Sequence, residues 1–236
     1  MSIRADKLLA DNSALSRKEA SDAIRAGRVT ADGTPVSRPE QKLGESCALT
    51  LDGNPVTVRR FFYLMMNKPK GIYSVADAPG HRTAHDLLPA EWRVRELFPA
   101  GRLDRDSTGF LLLTDDGAFA HRLLAPRRHV PKTYRVTLDT PVTAEMAAGF
   151  AAGVTLADGT LCRGARLEAD KTDPCVAWVT LREGRYHQIK RMFGVFGAGV
   201  NELHRTQIGA LPLDEALRPG ECRPLTPREL FLLEQG

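Results

Sequence analysis

No stretch of this sequence approaches the roughly 20 consecutive apolar residues that cross a bilayer. The opening MSIRADKLLADNS carries no apolar core of the kind that marks a secretory signal, so a cytoplasmic location is expected. Nucleotide-cofactor fingerprints, the G-x-G-x-x-G turn and the phosphate loop, are missing as well. Cysteine is sparse: Cys47, Cys162, Cys175 and Cys222 include no C-x-x-C pair and no histidine at metal-ligand spacing. They read as reduced packing residues, which argues against a zinc ribbon or a disulfide scaffold. Repeats and low-complexity tracts are also lacking. The net charge of +4 is mild, and its distribution rather than its total must identify any polyanionic partner.

What is present suits a packed, water-soluble chain. An apolar fraction of 42% and a charged fraction of 26% are ordinary for a globular protein, and 236 residues suffice for a small domain plus a medium one. Residues 1–58 read as a small α+β unit. Ser16 and Glu19 have the spacing of a capping box, Ala20, Ala23 and Ile24 supply one helical face, and Gly27 suits the left-handed residue after a helix. The pairs Asp32-Gly33 and Asp52-Gly53 then predict hairpin turns. Residues 54–61, NPVTVRRF, read as a linker. From Phe62 onward the spacing predicts strands over 62–66, 110–114, 133–138 and 176–181, and helices over 118–124 and 144–152. Strands and helices follow no regular β-α-β order, which favours α+β over a doubly wound sheet.

Basic residues cluster locally. From Met1 to Val58 eight cations face eight acids, yet Arg17, Lys18, Arg25 and Arg28 share the capped helix or its exit and form a candidate phosphate-binding patch. The stretch HRLLAPRRHVPKTYRV, 121–136, carries Arg122, Arg127, Arg128, Lys132 and Arg135 without one acid. Its prolines predict a stiff, extended basic loop. Arg182, Arg185, Lys190, Arg191 and, further on, Arg205 extend the basic character.

The stretch GRLDRDSTGFLLLTDDG, 101–117, gathers four aspartates. Asp104, Asp106, Thr108, Gly109 and Asp115 match the ligand spacing of a calcium loop, but a strand-like run stands where the loop should continue and no helix precedes it. A glycosidase-like carboxylate pair is a second reading, although spacing alone cannot set two of these acids across a substrate. Asp115 and Asp116 fit turn and helix-start roles, as Asp106 fits a turn. Asp104 is left. If residues 101–104 are extended, Arg102 and Asp104 point to one side, and a lone ionised aspartate can act as a nucleophile or stabilise a cationic sugar.

That stretch resembles the signature of the RsuA-type pseudouridine synthases, enzymes that isomerise uridine in RNA by detaching the base and rejoining it through carbon five. LMMNKPKGIYS (64–74), KTYRV (132–136), EGRYHQIKRMF (183–193) and ELHRTQIGAL (202–211) resemble the family's other motifs in the same order. RADKLLA…SRKEASDAIRAGRVTADG resembles the S4 RNA-binding module. The resemblance implies an S4-like domain over 1–58 and, over 62–236, a catalytic domain built on a mixed, mostly antiparallel sheet. Carried over by position, it makes Asp104 the catalytic aspartate, Tyr134 the tyrosine that stacks on the target base and Lys190 the cation paired with Asp104. Arg102 is implied in nucleotide flipping, and Leu203 or Ile208 in packing on the base. Lys68, His187 and Gln188 are implied as substrate contacts, and Arg17, Lys18, Arg25, Arg28, Arg127, Arg128, Lys132, Arg185, Arg191 and Arg205 as RNA contacts. An isomerisation needs no cofactor or metal, and none is expected. The likeness of EGRYHQIKRM and of the attached S4-like module points to 16S ribosomal RNA of the small subunit, at uridine 516; the sequence gives no hint of oligomer formation, and a monomer is expected. Large-subunit ribosomal RNA is the alternative target, and a non-catalytic ribosome-assembly protein the alternative function.

Overall fold

A computed structural model describes residues 2–44, 47–93, 96–125 and 130–235. Arg127 and Arg128 lie outside the described residues. The chain divides into two units, Met1–Phe62 with Leu88–Leu97, and Tyr63–Leu87 with Phe98–Gly236.

In the first unit, β1 (Ser2–Arg4) leads into α1 (Ala5–Asp11) and α2 (Arg17–Arg25). The expected capping box forms: Glu19 N–H donates to Ser16 Oγ, and Ser16 N–H donates to the Glu19 carboxylate. Strands β2 (Val29–Ala31), β3 (Thr34–Pro35), β4 (Lys42–Gly44), β5 (Leu49–Leu51) and β6 (Asn54–Val56) follow, and a short α3 (Ala90–Arg93) belongs to the same unit. β1 pairs with β4, and the other four strands form an antiparallel sheet in the order β3-β2-β5-β6. Asp32-Gly33 and Asp52-Gly53 both hold positive φ at each position, as a two-residue hairpin turn needs. Asn54–Val56, expected to begin a linker, instead pairs with β5. Leu8, Leu9, Ala20, Ile24, Val29 and Leu49 pack as this unit's own core.

The second unit is built on a nine-stranded sheet. Its strands are β7 (Tyr63–Lys68), β8 (Phe98–Pro99), β9 (Thr108–Thr114), β10 (Lys132–Leu138), β11 (Arg166–Ala169), β12 (Val176–Leu181), β13 (Val200–Ile208), β14 (Leu211–Pro212) and β15 (Cys222–Pro224). The main path runs β11-β12-β10-β13-β9-β7-β15, with β14 on β13 and β8 on β9. Every pairing is antiparallel except that of β13 with β9. The helices are α4 (Gly117–Leu124), α5 (Ala144–Ala152), α6 (Gln188–Val195) and α7 (Pro227–Leu233).

Two features of this sheet position the site. The parallel crossing sets Arg205 opposite Gly109, where a Cβ would collide with the Arg205 backbone. A register shift between Thr133 and Tyr134 then brings Tyr134 opposite Arg205. This irregularity lies where a bulge commonly re-aims a side chain. Along β10, Lys132, Tyr134, Val136 and Leu138 are buried, while Arg135 on the opposite face is exposed.

Candidate active site

Asp104 stands on the irregular segment between β8 and β9, and its main chain is clamped from two sides. Lys68, fully buried at the end of β7, points its ammonium at the carbonyls of Pro69, Asp104, Arg105 and Ser107, at 3.1, 3.1, 3.3 and 2.7 Å. Burial lowers the Lys68 pKa to about 8, with Asp106 and Asp104 pulling it the other way. Ser74 completes the clamp: its hydroxyl donates to Leu103 O at 2.8 Å and accepts from Leu103 N–H at 3.1 Å. Lys68, expected to touch substrate, is thus turned inward, its buried ammonium shared among four main-chain carbonyls, of which Asp104 O and Arg105 O also accept from Ser107 N–H and Gly71 N–H. Its motif is readable in sequence. Its direction is not.

The Asp104 carboxylate lies 3.5 Å from Lys190 Nζ and 3.5 Å from His187 Nε2. The expected pairing of Lys190 with Asp104 is longer than the contact Lys190 makes with Asp106. Lys190 reaches both oxygens of Asp106 at 2.8 Å, and this contact holds the Asp106 carboxyl below the usual range. Asp106, read as a turn residue, also anchors this cation. Arg102 is exposed and makes no ion pair with Asp104 among the described residues, although an extended 101–104 was expected to set both on one side.

Asp104 and Tyr134 line one cleft of about 750 Å³, together with Tyr73, Arg102, Lys132 and Tyr186. Tyr134 is buried, and the Arg205 guanidinium lies 6.0 Å from its ring centre. Arg205 is itself only 1% exposed and is committed to Phe110 O and Gly101 O, both at 2.7 Å. The expected RNA contact at Arg205 gives way to bracing of β9 and of the aspartate segment. Lys132 is likewise no tip of a loop. It begins β10, donates to Val130 O at 3.0 Å, and has its pKa lowered to about 8 by burial and by Arg205.

A smaller pocket beside Asp104 is lined by Tyr134, Gln188 and Leu203 among others. Of the two apolar candidates, Leu203 borders it, whereas Ile208 is fully buried in the cluster of Phe110, Leu112 and Phe119. The register shift in β13 lies between them. Gln188 braces the segment before α6: its amide donates to Glu183 at 2.5 Å and accepts from Arg185 N–H at 3.0 Å. His187 lies in the left-handed region, φ 50°, with the Tyr186 ring stacked on it.

The other basic candidates stay on the surface, several of them paired. Arg191 contacts Asp158 at 2.5 Å, and Arg185 contacts Glu183 at 3.4 Å. In the first unit, Arg28 forms a two-pronged pair with Asp52, Arg25 meets Asp22, and Arg17 lies 3.6 Å from Asp6. Lys18 makes no ion pair among the described residues. Asp116 takes its expected helix-start role, accepting from Phe119 N–H, and also accepts from the Tyr63 hydroxyl. Strand β9 occupies the middle of the calcium-like spacing, so that loop is excluded. Sequence reasoning missed Ser74, Tyr73 and Tyr186. Ser74 and Tyr73 stand in a motif already singled out, and Tyr186 directly precedes His187.

Residues 62–194 match the family described as RNA pseudouridylate synthase. Over 97% of its length the chain is 45% identical to the ribosomal small subunit pseudouridine synthase A of Salmonella typhimurium, spanning 98% of that protein. It is 43% identical to an uncharacterised RNA pseudouridine synthase of Bacillus subtilis, over 99% of both chains. A solved pseudouridylate synthase superposes with a TM-score of 0.69 at 38% identity, covering 98% of this chain and 99% of that one. Sequence and fold agree over nearly the full length, and the chain belongs to the RNA pseudouridylate synthase family as an RNA pseudouridine synthase.

Proposed function

We propose that this chain converts one uridine of small-subunit 16S ribosomal RNA to pseudouridine, uridine 516 in the usual ribosomal numbering, with Asp104 as the catalytic residue. The observation that carries this reading is the placement of Asp104, whose main chain is clamped by Lys68 and Ser74 and whose carboxylate opens on the cleft that Tyr134 also lines. Full-length similarity to relatives named for the ribosomal small subunit supports the choice of RNA.

Chemically, the bond from uracil N1 to ribose C1′ breaks, the base turns, C5 bonds to C1′, and the C5 proton is lost while N1 gains one. Substrate and product are isomers, so no external group is consumed. Uracil spreads its developing negative charge over its ring, which lightens the need for a strong acid. The carboxylate of Asp104 answers the positive charge at C1′, with Lys190 and His187 each 3.5 Å away. Tyr134 and Leu203 offer the flat and apolar surfaces on which an extruded base is held. The first unit, read as S4-like, adds affinity for RNA through α2. The chain is proposed to act as a monomer in the cytoplasm.

Carbodiimide-dependent primer-extension stops on ribosomal RNA from cells with and without the gene test reaction and site together. A stop at uridine 516 that vanishes with the gene is expected. A persisting stop there, or a lost stop in large-subunit RNA, overturns the target assignment.

A further inference from the structure

Tyr186 is 76% exposed, the most exposed of the large apolar and aromatic side chains noted on the described surface. Its ring lies 3.8 Å from the His187 imidazole at an interplanar angle of 19°, so one face is occupied and the other is open. His187 in turn reaches Asp104 at 3.5 Å, which sets the Tyr186 ring one aromatic layer away from a group that touches the candidate catalytic carboxylate. The stack is held in a defined place. His187 keeps a left-handed backbone, unusual for a residue other than glycine, while Gln188 ties Glu183 to the Arg185 main chain on either side of Gly184. Tyr73 lines the same cleft, flanked by the His81 ring at 4.9 Å and the Arg105 guanidinium at 5.7 Å. Arg102, Lys132 and Arg185 line the cleft beside these rings. Open aromatic faces next to cations are the surface that unpaired nucleotides recognise, because every base has a stacking face and every linkage an anion.

We propose that Tyr186, backed by His187, is a subsite that stacks the unpaired base adjoining the target uridine. The proposal rests on the reading of the chain as an RNA pseudouridine synthase, and it adds a requirement on the substrate: the neighbour of the target must be unpaired and carry a base. Tyr186 acts here in binding and not in the isomerisation itself.

The test uses the full chain and a stem-loop RNA with the target uridine in its loop, in three forms: intact, abasic at the 5′ neighbour, and abasic at the 3′ neighbour. Kd is measured for wild type, Y186A, Y186F and Y186W, with circular dichroism to confirm folding. Y186A is expected to weaken binding of the intact RNA about 5- to 100-fold, from the usual strength of a base–aromatic stack. Y186F and Y186W are expected to bind as wild type. One of the two abasic RNAs is expected to weaken wild-type binding by a similar factor and to leave Y186A no weaker than it already is. Wild-type affinity in Y186A, or losses that simply multiply between Y186A and both abasic RNAs, overturns the subsite. Binding is read separately from turnover. An enzyme that shows this coupling but isomerises nothing retains the subsite and loses the proposed function, whereas an active enzyme without coupling loses the subsite alone.

Discussion

Asp104 and Asp106 stand two positions apart and meet the same ammonium group on different terms. Lys190 is bound to both oxygens of Asp106 and stays 3.5 Å from Asp104. In Asp104→Asn the fold loses no close hydrogen bond to that side chain, so thermal stability is expected to stay near wild type. Tritium release from carbon-5-labelled uridine in RNA should fall by at least about a thousandfold; retained release would sink the assignment. In Lys190→Met the Asp106 carboxyl loses the contact that holds it low, and its titration followed by NMR should move to higher pH, because a nearby cation favours a carboxylate and a missing one does not. An Asp106 titration unchanged in that variant would show that Lys190 is not what holds it. Sequence motifs single out Asp104 and Lys190, yet the short contact to Asp106 depends on where α6 comes to rest against the aspartate segment.

At the scale of elements, hydrophobic spacing located most of the second unit's secondary structure. Strand 176–181 and helix 144–152 form with the expected bounds, and β7, β9 and β10 differ at their ends by one or two residues, where partner strands decide how far pairing runs. Helix α6 was not expected, although Ile189, Met192 and Phe193 carry helical spacing and are all buried; the basic residues among them hide the stripe. Strand β13 was missed for another reason: its in-out alternation is broken at Thr206 by the register shift. Gly109 measures how close β9 and β13 run. Gly109→Ala adds a Cβ against the Arg205 backbone at a φ of 98°. It should cost about 3 kcal/mol or more in urea unfolding, with activity lost as well, since Arg205 braces the Asp104 segment. A milder test concerns α4. Asp116→Ala removes both the helix cap and the partner of the Tyr63 hydroxyl, and a loss of about 2–3 kcal/mol is expected, against a smaller loss in Tyr63→Phe. Equal losses in the two variants would show that the cap contributes little.

For the chain as a whole, acid should be more damaging than mild base. Glu229, held by Arg223 and by Thr226, has its pKa lowered to about 2, and Asp158, bonded within its own turn and to Arg191, is lowered equally far. Both carboxyls bind protons more readily unfolded than folded. Their contribution is thus complete above the ordinary carboxylate range and is lost as pH falls from about 4.5 toward 2. Urea midpoints measured across that interval should fall steeply in wild type and less steeply in Glu229→Gln; parallel curves would contradict the assignment to Glu229.

By itself the sequence determined the family, the α+β class, the capped helix and hairpins of the first unit, and the aspartate on which the chemistry is proposed to turn. These follow from residue order and short spacings, which act through local geometry. Tertiary structure decided the direction in which each charge points. Lys68 and Arg205 face inward, where each cation is shared among main-chain carbonyls of β9 and the segment before it, and Leu203 rather than Ile208 borders the site because Leu203 packs with Ile189 and Phe193 of α6 whereas Ile208 packs with Phe110 and Phe119. Tyr186 stacks over His187 because the segment before α6 is held by Gln188 and Glu183. Each of these outcomes depends on how β13 pairs with β9 and β10, or on how the segment before α6 closes on itself, and no single motif contains both partners.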